Sequence, residues 1–519
     1  VTALAGPRGA GPGWFAQAWR PVALAVFATW VLFVGAHHEP WFDEAQSWLI
    51  ARDSDLWSLL AHRVRYEGTP GLWHVVLWLA IRAGLPYRLF FLVSAIFVVA
   101  GAAVVLWRAP FPAPLRVLLL TSYFFGYQLS VVARSYSLDV LLVTLAAWFF
   151  ADRVERPVRY ALAIGLIANT NAYSFLAGGV LAFELAWRLA AARRLDSRRG
   201  WVSLVIVATL CVLALLCAWQ PADNAFLHAG AHANPLLTLV VYLCNAFVDH
   251  VAVWSPDRVE TWDVFASIVL TLLLQRPVVT LILAGHDRAL CFAVQGVLLL
   301  FAGFVYANLW HAGVFFLFWM FVLWVQWPNP LGASDRRQLV AAMAIILTLQ
   351  SVQTVRTGLW DIDHVYSPGR PAARLVADWR SAHPRGRIDG YGDFAFEIQP
   401  WLPGNPFGNY HHGDPRMSYV RWDRNEPWMA GASNDGTQMD FWHAVLADRP
   451  DLIVASPINR NWAHGNRADL APDACRAGYD VLAALPGTMI WRGRLTEDET
   501  LYLFERRTSG PCVVANARN

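Results

Sequence analysis

About eleven stretches of this chain are too apolar to sit in water, and their number and spacing constrain the fold more than any motif does. They lie at 21–36, 89–107, 115–132, 139–151, 161–170, 175–189, 201–219, 264–274, 289–306, 314–325 and 339–355. A helix of roughly 18 apolar residues crosses the hydrocarbon core of a bilayer, where every backbone N–H and C=O must be satisfied within the segment. Several of the runs are shorter and gain reach from flanking aromatic and Arg side chains that extend to the interface. Composition agrees: 56% of the residues are hydrophobic and 15% charged, against about 25% charged in soluble domains. The chain reads as a polytopic α-helical membrane protein with about eleven transmembrane helices.

Charge sets the sidedness. The short loops carry Arg108 and Arg116; Arg153, Arg156 and Arg159; Arg193, Arg194, Arg198 and Arg199; Arg336 and Arg337. With Arg8 and Arg20 inside, all these loops fall on the cytoplasmic face, as the positive-inside rule requires. The start of the chain is then inside and its tail outside, and the first run stays as an anchor. Segment 236–254 reads either as another span or as an interfacial helix, and Gln275–Arg276 as a polar break. Segment 37–88 alternates apolar residues at helical spacing with Arg and Asp, which suits helices lying on the outer membrane surface. A short span at 71–83 is the competing reading.

From about residue 356 Pro, Gly, Asp, Asn and Arg become frequent and no spanning run follows. The chain therefore divides into a transmembrane domain (1–355) and a small extracytoplasmic α/β domain (356–519). Strands are expected at RPDLIVASP, ETLYLFERR and RIDGYGDFA, and a helix end at VADWRSAHP. Trp401, Tyr410, Trp422, Trp428, Trp442 and Trp462 in this tail serve packing or sugar stacking, packing being the commoner use of such rings. A net charge of +3, with no basic run interleaved with aromatics, gives no reason to expect a nucleic-acid partner. The six Cys show neither CxxC nor Cys–His spacing, which argues against a zinc or redox centre. Cys475 and Cys512 lie in the polar tail and can pair if that tail is outside the cytoplasm.

The outer boundaries hold the chemistry. HHEPWFDEAQSWLIARD, after the first span, supplies His37, His38, Glu39, Asp43 and Glu44; Glu67 and His74 follow in the same loop. ARSYSLD supplies Arg134, Tyr136 and Asp139, and NLWHAG supplies Asn308 and His311, whereas the inner boundaries carry almost only Arg. Asp43 with Gln46 also fits a helix capping box, with Glu44 at the positive end of the same helix. Arg134, Tyr136 and His311 equally suit an interfacial belt.

WFDEAQSWLIARD, then EGTP, then ARSYSLD resemble the GT-C superfamily of membrane glycosyltransferases, nearest the protein O-mannosyltransferase-like enzymes and the lipid A aminoarabinose transferases. The similarity is best over roughly the first third of the chain, and no family motif marks a donor-binding loop in the middle. The resemblance implies a GT-C fold and transfer of a sugar from a polyprenyl-phosphate donor to a lipid, glycan or protein acceptor at the outer face of a bacterial cytoplasmic membrane. Asp43, or else Glu44, matches the first-loop carboxylate and would act as the base. Asp139 matches the acid at the second outer boundary. Arg134, with Tyr136 and His311, would hold the donor phosphate. Glu67, with His74 or with His37 and His38, would hold a divalent ion such as Mg, Mn or Zn. A ligase or polymerase of lipid-linked oligosaccharides, and more remotely a transporter or flippase of envelope precursors, are the alternatives.

Overall fold

The computed structural model describes residues 18–224, 234–249, 261–410, 417–423, 435–456, 470–492 and 494–512. Trp428 and Trp462 lie outside the described residues, as does Arg8. The amino-terminal part is helical: α1 (Trp19–His37), α2 (Phe42–Arg52), α3 (Leu56–Ser58), α4 (Val64–Glu67), α5 (Leu72–Arg82), α6 (Phe91–Arg108), α7 (Ala113–Thr121) and α8 (Tyr136–Phe149). It continues through α9 (Pro157–Ile167), α10 (Ala172–Ala191), α11 (Arg198–Ala218), α12 (Pro235–Phe247), α13 (Thr261–Ala284), α14 (Arg288–Phe304), α15 (Ala312–Gln326) and α16 (Ala333–Asp363). Among the described residues six helices are long and apolar enough to cross a membrane: α1, α6, α10, α11, α13 and α16. Shorter apolar helices such as α9 and α15 pack among them. The chain is thus mostly helical, with several apolar helices of membrane-spanning length.

Three expected segments differ, each for a visible reason. The run 115–132 is not one helix. α7 ends at Thr121, a π-helical turn covers Phe124–Gln128, and 129–135 is not helical. Residues 122–133 are all buried, so this stretch packs into protein, where irregular backbone can find partners. Trp30 Nε1, for example, donates to the Gly126 carbonyl at 2.9 Å. The expected break at Gln275–Arg276 is absent: α13 runs through it, and Gln275 Oε1 accepts from Trp319 Nε1 at 2.9 Å. The last helix does not stop at 355. At 31 residues, about 46 Å, α16 extends to Asp363 and carries Asp361 beyond the apolar run. The tail therefore starts some residues later than composition indicates.

Helix α2 is also not a surface helix. Glu44, Ala45, Gln46, Trp48, Leu49, Ile50 and Ala51 are buried, because α2 lies between α5 and a 3-10 segment of the tail, Asp393–Trp401. Polar bonds fix that docking. Gln46 exchanges hydrogen bonds with the backbone of Val420, at 2.6 and 2.9 Å. Arg52 Nη1 donates to the Gln399 carbonyl at 3.1 Å.

The tail contains α17 (Gly369–Ala382), α18 (Asp435–Ala447) and α19 (Leu470–Arg476) around β1 (Ile388–Tyr391), β2 (Leu452–Ala455), β3 (Tyr479–Leu485) and β6 (Leu501–Arg506), with β4 (Thr488–Trp491) and β5 (Arg494–Asp498) as a separate ribbon. The four expected elements form where the sequence patterning placed them. The mixed sheet runs β1-β2-β6-β3, with β1 parallel to β2 and the other pairs antiparallel. Its own core includes Trp442, Ile453 and Phe504. A larger core is shared with the helices: Trp491 of β4, fully buried, packs its ring edge-on to Tyr123 (5.2 Å) and Trp310 (4.9 Å). Trp442 and Tyr410 are packing residues. Cys475 and Cys512 are disulfide-bonded, with Cα atoms 5.6 Å apart.

Candidate active site

The two adjacent carboxylates at the start of α2 have separate fates. Trp41, in extended conformation, precedes the helix, and Glu44 at the third helical position reaches back to accept from the Trp41 N–H at 3.2 Å. The capping carboxylate is therefore Glu44, not the expected Asp43–Gln46 pair, since Gln46 is taken by Val420. Glu44 also accepts from the Ala133 N–H at 2.6 Å and contacts His38 Nε2 at 3.0 Å, with 1% of its side chain exposed. Such a carboxylate has no free face for a substrate. Asp43, one residue earlier and so about 100° around the helix, keeps 30% of its side-chain surface exposed and pairs through Oδ2 with Arg134 Nη1. The structure thus separates what the sequence left open: Glu44 is a structural acceptor and Asp43 is the accessible carboxylate.

Arg134 stands on the non-helical stretch between the π turn and α8. Its guanidinium lies 5.9 Å from the Trp41 ring and 5.7 Å from the Tyr136 ring. Tyr136 meets His311 edge-on at 5.8 Å, and His311 stacks on Tyr173 at 4.9 Å. His311 Nδ1 is buried without a hydrogen-bond partner, as are both ring nitrogens of His74. Trp41, Gln128, Val132, Arg134, Tyr136, Trp310 and Tyr366 surround a crevice too narrow to admit a water molecule. Glu67 Oε1 accepts from Gln46 Nε2 at 2.9 Å and from Trp422 Nε1 at 3.0 Å. Burial first, and then the Asp43 charge, push the Glu67 carboxyl up to about 7. Asp393, from the tail, is pushed up to about 6 by burial and by Asp43. Three carboxylates and one guanidinium thus share one electrostatic field. Comparison with protein-family models, with curated proteins and with solved structures gives no match.

The remaining expected residues fall elsewhere. Asp139 is fully buried and serves as a staple: it accepts from Thr170 Oγ1 (2.6 Å), Asn171 Nδ2 (2.6 Å) and Ser174 Oγ (2.9 Å), joining α8 to the α9–α10 turn. Both of its oxygens are thus engaged within the fold rather than turned toward the Asp43–Arg134 pair. Asp139→Ala would strand three buried donors and is expected to cost about 3 kcal/mol or more of stability, read from denaturant unfolding in detergent. His37 is exposed and bonds the Phe33 carbonyl one turn back at 2.8 Å. His38 is held between Glu44 and Asp361, at 3.0 and 2.8 Å. Glu67 and His74 have neither histidine beside them as a co-ligand: among the described residues no three His, Cys, Asp or Glu side chains gather as a metal site. The residues expected to hold a divalent ion are thus not gathered around one point and do not fit one.

Asp393 was not legible as a site residue, and Trp422 stood out only as one of several tail aromatics suited to packing or sugar stacking. The only local signal is Gly392, at φ 81°, immediately before Asp393; a side chain at Gly392 would collide with Ser456 Oγ. Glu67 yields a pH test. Its folded-state pKa lies above the unfolded value near 4.5, so the stability tied to its neutral form is complete below that value and is lost as pH rises through about 7. Wild-type thermal stability should fall across that window relative to Glu67→Gln, by on the order of 2 kcal/mol after allowance for partial exposure. A parallel pair of curves would refute this reading of Glu67.

Proposed function

We propose that the protein is a membrane glycosyltransferase of GT-C type that moves a sugar from a polyprenyl-phosphate carrier to an envelope acceptor. The observation that carries this reading is the partly exposed Asp43–Arg134 pair, a base and a cation side by side, with the guanidinium near the Trp41 and Tyr136 rings. The donor is a phosphodiester whose departing group becomes a dianion, and a guanidinium in a water-poor cleft stabilises that developing charge. Donor phosphate competes with Asp43 for Arg134. When it wins, Asp43 loses its counter-ion and becomes the stronger base. The acceptor hydroxyl then gives its proton to Asp43 as its oxygen bonds to the anomeric carbon. The bond from that carbon to the phosphate oxygen breaks, with its electron pair leaving on polyprenyl phosphate. Attack opposite the phosphate inverts the anomeric configuration. His74 and His311, with unpartnered nitrogens, supply hydrogen bonds to sugar hydroxyls or phosphate oxygens.

In this reading the site and the tail face the exterior of the cytoplasmic membrane. The Cys475–Cys512 bond supports that side, since disulfides persist in oxidising compartments. The test is turnover of a panel of polyprenyl-phosphate sugars by the purified full chain in lipid nanodiscs, with envelope lipids and glycans as acceptors. At least one donor should be consumed with appearance of free polyprenyl phosphate. Consumption of none would overturn the assignment.

A further inference from the structure

A chain of buried polar groups lies behind the site. Tyr127 Oη donates to Asp361 Oδ2 at 2.9 Å; the same oxygen lies 2.8 Å from His38 Nδ1; His38 Nε2 lies 3.0 Å from Glu44 Oε2; and Glu44 Oε1 accepts from the Ala133 N–H at 2.6 Å. The side chains of His38, Glu44 and Asp361 are 1%, 1% and 0% exposed. Burying two carboxylates costs several kcal/mol unless each is paired and hydrogen-bonded, and apolar packing would anchor a loop as well. An imidazole between two carboxylates satisfies both only as imidazolium, donating one N–H to each; a neutral ring leaves one carboxylate facing a lone pair. Burial opposes that charge, but Asp361 and Glu44 outweigh burial and hold His38 well above the usual histidine range.

The chain ends one residue from the chemistry at both places. Glu44 follows Asp43, and Ala133 precedes Arg134. The Glu44–Ala133 bond therefore cross-links the first turn of α2 to the irregular stretch that carries the guanidinium. We propose that Asp361, His38 and Glu44 form a positioning clamp that sets where Arg134 stands relative to Asp43, with the far end of α16 as its fixed point. None of the three touches substrate. A misplacement of about 1 Å at such a pair can cost on the order of 100-fold in rate. The donor phosphate can follow a displaced guanidinium in the ground state, while the in-line geometry cannot, so the loss falls on kcat.

The kinetic arm rests on the glycosyl-transfer reading; a second arm does not. Hydrogen–deuterium exchange of peptides covering 129–136 reports the Ala133 amide directly. In His38→Ala and Asp361→Asn, that amide should exchange at least tenfold faster and kcat should fall at least tenfold, with donor KM within about threefold. The double variant should be no worse than the worse single one, because the groups act as a unit. Glu44→Gln, whose amide can still accept from Ala133 and donate to a neutral His38, should lose less than Glu44→Ala. Tyr127→Phe removes only the outermost bond and should shift both readouts in the same direction by less; it carries the test if His38→Ala does not fold. Unchanged exchange in a folded variant, faster exchange with unchanged kcat, or losses that multiply in the double variant would each overturn the clamp. If wild-type protein turns over no polyprenyl-phosphate sugar, the functional reading fails and the exchange arm alone decides the clamp.

Discussion

Asp43→Asn should lower kcat for glycosyl transfer by a factor of roughly 100 to 10,000, the range a positioned general base contributes. Asn keeps the shape and can still accept from Arg134, but it cannot take a proton. The substitution leaves Arg134 with a neutral partner at a position where only 24% of its side chain is exposed, so unfolding stability should fall by about 1–3 kcal/mol. The competition between Asp43 and donor phosphate for Arg134 adds a sign that simple damage would not give. Donor KM should stay level or fall, because the guanidinium is released from its carboxylate. Kinetics with the donor that the wild type consumes best, together with thermal unfolding, would test both statements. Wild-type-like kcat in Asp43→Asn would remove Asp43 from the mechanism.

Arg134→Met should weaken both donor binding and turnover, with kcat/KM down at least 1,000-fold. Removing one preorganised group aimed at developing charge typically costs 100- to 1,000-fold, and here the ground-state phosphate loses its cation as well. Arg134→Lys should recover only part of that, since an ammonium lacks the planar fork that a guanidinium offers to phosphate. The Asp43→Asn, Arg134→Met double variant should fall short of the product of the single losses, because each residue sets the state of the other. Full multiplicativity would mean that the two act independently, contrary to their ion pair.

Much of the frame was legible because hydrophobic length acts locally. The apolar runs at α1, α6, α10, α11 and α16 could be placed from composition, and so could the strands β2 and β6. The misreadings share one cause: a hydropathy run does not reveal whether its partner is lipid or protein. Segment 115–132 is apolar enough to span but packs against α16 and the tail, so its helix breaks. Helix α2 looks amphipathic enough for the membrane surface, yet the tail covers its outer face. Asp139 occupied the right boundary for a catalytic acid, and only its three side-chain donors reveal it as a staple. Asp393 comes from a segment more than three hundred residues away from Asp43, beyond the reach of local pattern.

By itself the sequence determined that this is a multi-helix membrane chain with a polar α/β tail, because apolar length and polar composition are properties of contiguous residues. It also placed carboxylates, histidines and an arginine at one set of helix ends. Only the tertiary structure decided which of them meet: Asp43 with Arg134, and Glu44 with His38, Ala133 and, through His38, Asp361. Two carboxylates adjacent in sequence differ by about 100° of helix rotation. What each faces is set by backbone and side chains brought in from distant parts of the chain, and that arrangement turns one into a buried brace and leaves the other partly exposed beside Arg134.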